Sequence, residues 1–219
     1  MLLGILVGSM ACAAAVFTPA AQALDVNPPT RSCAKIGIIG DSKSDHAIGA
    51  RRWIEADLRD RGVPHYLNTS SGRSITRAGS GTDAHTGNGL SAVRHAKRAG
   101  VTCFVIALAA NDAAHTGGDR SVMRRDIDSL MRAIGPHRVD WVTSKTALAR
   151  GPYSNANVQR FSAEINAARS RWPNLEVNNW QRVRETLPSW WAADGVHLDA
   201  GNAIRGRYVA ESAFVAGSR

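Results

Sequence analysis

The sequence predicts an α/β fold, a three-layer α/β/α sandwich built on a five-stranded parallel sheet. Two observations carry that reading. Five short apolar runs alternate with amphipathic stretches of helical period, and strands that alternate with helices pair in parallel with helices on both faces. The chain has 219 residues, 44% hydrophobic and 21% charged, too apolar for disorder and of a size for one domain. A domain this large buries about 70% of its unfolded surface and holds a core without metal or disulfides. Right-handed crossovers then leave few topologies open.

After Asn27-Pro28-Pro29-Thr30, residues 35–40 (KIGIIG) read as a buried strand and 47–61 as a helix with Trp53, Ile54 and Leu58 on one face. Residues 63–67 form a second strand. Residues 68–89, rich in Gly, Ser, Thr and Asn, form a long loop of the kind that carries function. A helix over 91–98 precedes the most apolar strand, 101–109 (VTCFVIALA). The helix over 120–134 is ended by Gly135-Pro136, the fourth strand is 138–143, and a helix over 155–172 stops at Pro173. Residues 175–180 make the fifth strand and 200–214 the last helix.

Residues 1–23 (MLLGILVGSMACAAAVFTPAAQA) carry no charge. The run is too short and too broken by Gly, Ser and Pro for a spanning helix, which needs about 20 apolar residues. With a small-x-small exit at Ala21-Gln22-Ala23, it reads as a secretory signal, although no Lys or Arg precedes the apolar stretch. Residues 24–219 then form a single domain. A retained anchor and a lipid-modified Cys12 are the alternatives, the second poorly matched by Ser9-Met10-Ala11. Signal removal leaves Cys33 and Cys103, either one disulfide in an oxidising compartment or two buried thiols. No Cys-x-x-Cys or Cys/His cluster exists, so no metal site is expected.

The formal charge is +9, from 23 Arg and 4 Lys against 18 acidic residues. These cations are scattered over the expected helices (Arg51, Arg52, Arg59, Arg61; Arg94, Lys97, Arg98; Arg124, Arg125) without interleaved aromatics. Nucleic-acid binding is therefore not expected. A solvated basic surface is, with some attraction to anionic envelope polymers.

In parallel sheets ligands bind beyond the carboxyl ends of the strands. Those positions hold Asp41-Ser42, Ser71-Gly72-Arg73, Asn111-Asp112 and Asp194-Gly195-Val196-His197. A serine where the first strand turns toward a helix exposes its hydroxyl, but becomes nucleophilic only when a base takes its proton. His197 is the candidate base and Asp194 the group that holds its other nitrogen, giving a triad Ser42, His197, Asp194. The Gly-x-Ser-x-Gly elbow of α/β-hydrolases is nowhere present. Oxyanion donors are available in the amides of Ser42 and Gly72 and the side-chain NH2 of Asn111. Gly72 suits a place where backbone approaches a ligand closely.

Gly40-Asp41-Ser42, Gly72 in Ser-Gly-Arg-Ser, Asn111-Asp112, and Asp194-Gly195-Val196-His197-Leu198 followed by Gly201 resemble, in order and spacing, the four blocks of the SGNH (GDSL-like) hydrolases. The likeness spans residues 35–201. It implies a flavodoxin-like sandwich and acyl hydrolysis by a serine nucleophile, with no metal or organic cofactor. It places the nucleophile on Ser42, the oxyanion donors on Gly72 and Asn111 beside the Ser42 amide, and the acid and base on Asp194 and His197. Two departures stand out: Ala109 where such hydrolases often have Gly, which would narrow the pocket, and Lys43-Ser44-Asp45 in place of a hydrophobic or His continuation. The resemblance also makes the first and third strands neighbours, which brings Cys33 and Cys103 near-level at their far ends.

Rivals exist within the chain. Asp112-Ala113-Ala114-His115 repeats the Asp-x-x-His spacing, with Asp112 alternatively a turn cap. Ser74 is a second serine in the long loop. Arg73 would either bind an anionic substrate group or point to solvent. Trp190 and Trp191 would form a platform for a sugar ring or acyl chain, or pack onto the sheet. Asn68-Thr69-Ser70 is formally a glycosylation sequon.

The expected function is an exported serine esterase that removes small acyl groups from carbohydrate or lipid, secreted or associated with the cell envelope. It is expected to be a monomer without a membrane span once the signal is gone. An O-acyltransferase acting on envelope glycan uses the same residues with a sugar hydroxyl in place of water. A cell-wall-binding module keeps the scaffold without turnover.

Overall fold

The computed structural model describes residues 33–45, 49–80, 87–183 and 188–217, so the expected signal segment and Cys12 lie outside the described residues. The elements are β1 (Ile36–Gly40), α1 (Arg51–Asp60), β2 (His65–Thr69), α2 (Gly89–Arg98), β3 (Cys103–Ala107), α3 (Ala110–Thr116), α4 (Arg120–Ile134), β4 (Arg138–Val142), α5 (Asn155–Ala168), β5 (Leu175–Asn178) and α6 (Asn202–Gly217). All strands pair in parallel, in the order β2-β1-β3-β4-β5.

Alternation along each strand sorts its side chains between two cores. Ile39 of β1 with Phe104 and Ile106 of β3 packs against α2, α4 and α5, including Val93, Ile127 and Phe161. Ile36 and Ile38 with Cys103 and Val105 face α1 and α6, including Ile54, Leu58, Tyr208 and Val209. Both faces are therefore covered, which is why these strands read as continuous apolar runs.

Helix α4 begins where Asp119 accepts the amides of Ser121 and Val122 and ends at Gly135, whose φ is 75°. Helix α5 stops at Ala168, four residues short of the expected end; the final turn gives way before Pro173, and the Trp172 indole N–H donates to Asp128 at 2.7 Å. Helix α3 was not expected. The apolar run that reads as one strand to 109 leaves the sheet at Ala107, and the chain starts a short helix at Ala110.

Residues Ile36 and Cys103 are partners in register, and Cys33 lies just before β1. The disulfide between Cys33 and Cys103 closes there, with Cα atoms 5.7 Å apart. The basic residues expected on the helices are exposed or half-exposed, as a solvated basic surface requires, but three arginines outside that set are not. Arg73, Arg138 and Arg205 are buried, Arg138 against Asp140 at 3.0 Å, and Arg120 and Arg124 pair with the buried Glu164. Burial pushes the Asp140 carboxyl up to about 6, with the Arg138 charge pulling against it. Among the described residues no helix is long and apolar enough to cross a membrane.

Candidate active site

Register sets the frame of the site. Gly40 at the end of β1 lies between Thr69 of β2 and Ala107 of β3, so everything following these residues emerges at one edge of the sheet. The chain leaves β1 through a single 3-10 turn, Ser42–Ser44, opened by Asp41, whose carboxylate accepts the Lys43 amide at 3.0 Å. That turn folds so closely onto the strand that a Cβ at Gly40 would stand 2.6 Å from the Ser44 Cβ. Being first in the turn, the Ser42 amide has no protein acceptor among the described residues.

His197 arrives in the loop between β5 and α6, made stiff by its own hydrogen bonds. The Ala192 amide donates to the His197 carbonyl at 3.0 Å and the Asp199 amide to the Trp190 carbonyl at 2.7 Å, while Gly195 takes a left-handed φ of 64° that a side chain would oppose. Asp194 Oδ1 accepts the amides of Val196 and His197, each at 2.9 Å, which leaves Oδ2 for the imidazole Nδ1 at 2.6 Å. A ring whose Nδ1–H faces a carboxylate carries its lone pair on Nε2. That nitrogen lies 2.8 Å from Ser42 Oγ, the geometry of a hydroxyl donating to a base. Burial alone would push Asp194 up, but the bonds from the His197 ring and from the amides of His197 and Val196 outweigh it and hold the carboxylate at about 2.

Facing this row are the other donors. Gly72 has φ 72°, and among the described residues a Cβ there would meet only Ser80, its Oγ at 3.4 Å. Glycine is needed for its left-handed backbone rather than for close quarters. Its amide, like that of Ser42, has no protein acceptor among the described residues. Asn111, in the first turn of α3, donates one Nδ2 hydrogen to the Arg73 carbonyl at 2.9 Å and accepts the Tyr153 hydroxyl on Oδ1 at 3.2 Å. Those two bonds fix the amide's orientation and leave its second hydrogen to point elsewhere. Ser42, Gly72, Asn111, Tyr153 and His197 line one recess of about 300 Å³, bordered also by Ala110 and Val196.

The loop that carries Gly72 is held from three sides. Asp45 accepts the Thr69 hydroxyl at 3.3 Å and the Ser71 hydroxyl at 2.9 Å. Asp112 is buried and accepts the Ile75 amide at 2.7 Å. Arg73 is fully buried: Nε donates to the Gly87 carbonyl at 2.8 Å and Nη1 to those of Asn68 at 2.6 Å and Gly40 at 3.4 Å. It is neither a substrate clamp nor a solvated loop residue, because its guanidinium is turned inward onto backbone carbonyls. The nucleophile turn also holds buried ionisable groups, Asp41 at its cap and Lys43 within it, and Arg205 of α6 is buried as well. The Lys43 ammonium donates to Ser144 Oγ at 2.8 Å and to the Lys145 carbonyl at 2.5 Å. Burial pushes Lys43 down to about 7 and Asp41 up, each opposed by the other's charge.

The rivals separate from this cluster. Asp112 is a loop tie within α3 rather than a turn cap, and burial pushes its carboxyl up to about 8. Ser74 Oγ accepts the Arg77 amide at 3.1 Å and is buried. Trp190 and Trp191 are half-buried against the α1 and α6 core, and neither lines the Ser42 recess. Ala109 also sits in the core, so its methyl does not narrow that recess; Ala110 borders it instead. Asn68 is fully buried on β2, unavailable to a glycosylating enzyme. Tyr153 escaped sequence reasoning. Its only indication is that it follows the end of β4, where the strand-end rule also points. Among the described residues no group of three or more His, Cys, Asp or Glu could hold a metal.

No protein-family model and no curated protein sequence matches the chain. Solved structures do. A lipase/acylhydrolase from Enterococcus faecalis superposes with a TM-score of 0.63 at 16% identity, over 82% of this chain and 95% of its own. A carbohydrate acetylesterase family member from Sinorhizobium meliloti gives 0.60 at 17%, over 81% and 94%. The C-terminal catalytic domain of peptidoglycan O-acetyltransferase A from Streptococcus pneumoniae gives 0.58 at 17%, over 83% and 93%. These likenesses show the fold, the three-layer sandwich of the SGNH hydrolases.

Proposed function

We propose that the chain is a serine ester hydrolase acting on short acyl groups, with Ser42 as nucleophile, His197 as general base and acid, and Asp194 as the group that orients the histidine and stabilises its imidazolium. The observation that carries this is the unbroken row of hydrogen bonds from Asp194 Oδ2 through the imidazole to Ser42 Oγ, 2.6 and 2.8 Å long. The names of the structural neighbours, a lipase/acylhydrolase and a carbohydrate acetylesterase family member, support the same chemistry.

In acylation Ser42 Oγ attacks the ester carbonyl as its proton passes to His197 Nε2. The oxyanion settles among the amides of Ser42 and Gly72 and the free Asn111 hydrogen. Collapse expels the alkoxide, which takes the proton from His197 and leaves as alcohol. Water then repeats the sequence: its proton goes to His197, its oxygen to the acyl carbon, and Ser42 departs reprotonated with release of the carboxylic acid. Asp194, held at about 2, stays anionic and stabilises the imidazolium formed in each half. The recess of about 300 Å³, walled by Ala110, Val196 and Tyr153, suits a short acyl group.

Export through removal of residues 1–23 belongs to the same reading, supported by the uncharged N-terminal run and by the Cys33–Cys103 disulfide, a bond of oxidising compartments. The likeness to a peptidoglycan O-acetyltransferase domain favours one second reading, in which a sugar hydroxyl replaces water in the second half. A transfer product in excess of hydrolysis when glycan acceptor is supplied selects it. The primary test is p-nitrophenyl acetate hydrolysis with a fluorophosphonate probe. Ser42→Ala is expected to abolish both turnover and labelling, and retention of either ends the esterase reading.

A further inference from the structure

A larger recess of about 740 Å³ adjoins the catalytic pair, and His197 and Asp194 line both it and the Ser42 recess. Its remaining walls come from the start of α1, with Arg52 and Trp53, and from the segment after His197, with Asp199. The Arg52 guanidinium lies over the Trp53 ring, 3.7 Å from its centroid. Apart from that stack, among the described residues the guanidinium has no hydrogen bond or ion pair, and neither has the Asp199 carboxylate. The base of the Trp53 side chain packs closely on α6, since a Cβ on Gly206 would stand 2.6 Å from the Trp53 Cβ.

We propose that this recess holds the alcohol half of the ester and that the alcohol is a neutral saccharide, an inference that rests on the esterase reading. An ester has two halves that part beside the histidine, since the nitrogen that takes the serine proton must hand it to the departing alcohol. The smaller recess contains the oxyanion donors and takes the acyl side. The larger one shares the imidazole and takes the other. Its chemistry selects among alcohols. A sugar ring presents hydroxyls that both donate and accept, around faces of C–H bonds. Arg52 offers up to five donors held flat by the stack, Asp199 offers only acceptors, and the aromatic ring offers an apolar surface between them. A lipid alcohol would leave both charges desolvated and unpaired, which is costly. An anionic alcohol meets Asp199 and the half-exposed Asp194, whereas a neutral polyol can donate to these carboxylates and accept from Arg52 at once.

The test compares the full-length protein on ethyl acetate and on O-acetylated xylo-, cello- and chito-tetrasaccharides. The intact protein is expected to prefer at least one saccharide ester. Arg52→Ala and Asp199→Ala, both at exposed positions, are expected to lower the kcat/KM ratio of that ester over ethyl acetate by about tenfold each, chiefly through KM, the effect of losing one hydrogen bond to a charged group. A ratio unchanged in both variants overturns the assignment. Hydrolysis of p-nitrophenyl acetate with no preference for any saccharide ester overturns it too, while leaving the esterase reading intact; hydrolysis of neither ends both. Calorimetry gives an answer independent of turnover. Ser42→Ala is expected to bind an unesterified tetrasaccharide saturably and to lose that binding when Arg52→Ala is added, and no binding in Ser42→Ala counts against the proposal.

Discussion

Asp112→Asn separates the shape of a buried carboxyl from its charge. Asp112 is 1% exposed, accepts the Ile75 amide through Oδ1 and has no partner for Oδ2 among the described residues. Burial pushes its carboxyl up to about 8, helped by the charges of Asp41 and Asp126 and opposed by the amides of Ile75 and Asp112 itself. The folded pKa is therefore raised above the unfolded value of 3.8, so over that window the folded chain holds a proton that the unfolded chain releases. Stability must fall as pH rises through the window, by about 1.4 kcal/mol for each unit, or about 3 kcal/mol between pH 5 and 7. Asparagine keeps the acceptor for Ile75 and has no charge to suppress. The assay is urea unfolding of parent and variant across pH 5 to 8. The variant is expected to gain on the parent steadily as pH rises and to stop gaining above about 8, where both states of the parent are ionised. Parallel stability curves would show that the carboxyl is ionised in the fold and refute the reasoning.

Asn111→Ala is expected to cost on the order of 10² to 10³ in kcat on p-nitrophenyl acetate with little change in KM, as for loss of one oxyanion donor. Tyr153→Phe leaves Asn111 Oδ1 without its donor and should lower kcat by about tenfold, the scale of one neutral hydrogen bond. For Asp194→Asn a loss on the order of 10⁴ in kcat is expected, since the amide no longer holds the reactive tautomer. Because the parent carboxylate is depressed to about 2, its stabilising contribution is complete above about pH 4 and disappears only as pH falls through about 2, so any loss of activity at milder acidity has another source. Cys33→Ser with Cys103→Ser should lower unfolding stability by about 4 kcal/mol in the chain-entropy description, read by urea titration with and without reductant.

What was legible in the sequence follows from where local pattern and final environment coincide. Strands β1 and β3 are visible because burial on both faces makes them unbroken apolar runs, while polar residues interrupt β2, β4 and β5 and β2 lies two residues later than 63–67; α4 is legible because Gly135-Pro136 closes it. Helix α3 was hidden by the residues that lead into it. The pair Leu108-Ala109 is apolar in either state and reads as a continuation of the strand, and only the third dimension decides where the sheet stops. The residues now meeting at one edge, Ser42, Gly72, Asn111, Asp194 and His197, could be nominated because strand ends converge in a parallel sheet. Arg73 could not be assigned, because nothing local distinguishes an arginine that faces water from one that has carbonyls from three distant segments around it. Tyr153 was invisible for the same reason, since it gains its meaning from Asn111, a partner recruited across the fold.

The buried guanidinium of Arg73 has a consequence for how the molecule can be altered. It spans the last residue of β1, the end of β2 and the far end of the loop at Gly87, while its own carbonyl steadies the Asn111 amide. A lysine in its place brings a point charge without the planar fork, too compact to bridge three separate oxygens. Those segments must therefore change together or not at all, and any retuning of the recess has to come from Ala110 and Val196, which line it outside that shared strapping, whereas Tyr153 is tied into it through Asn111.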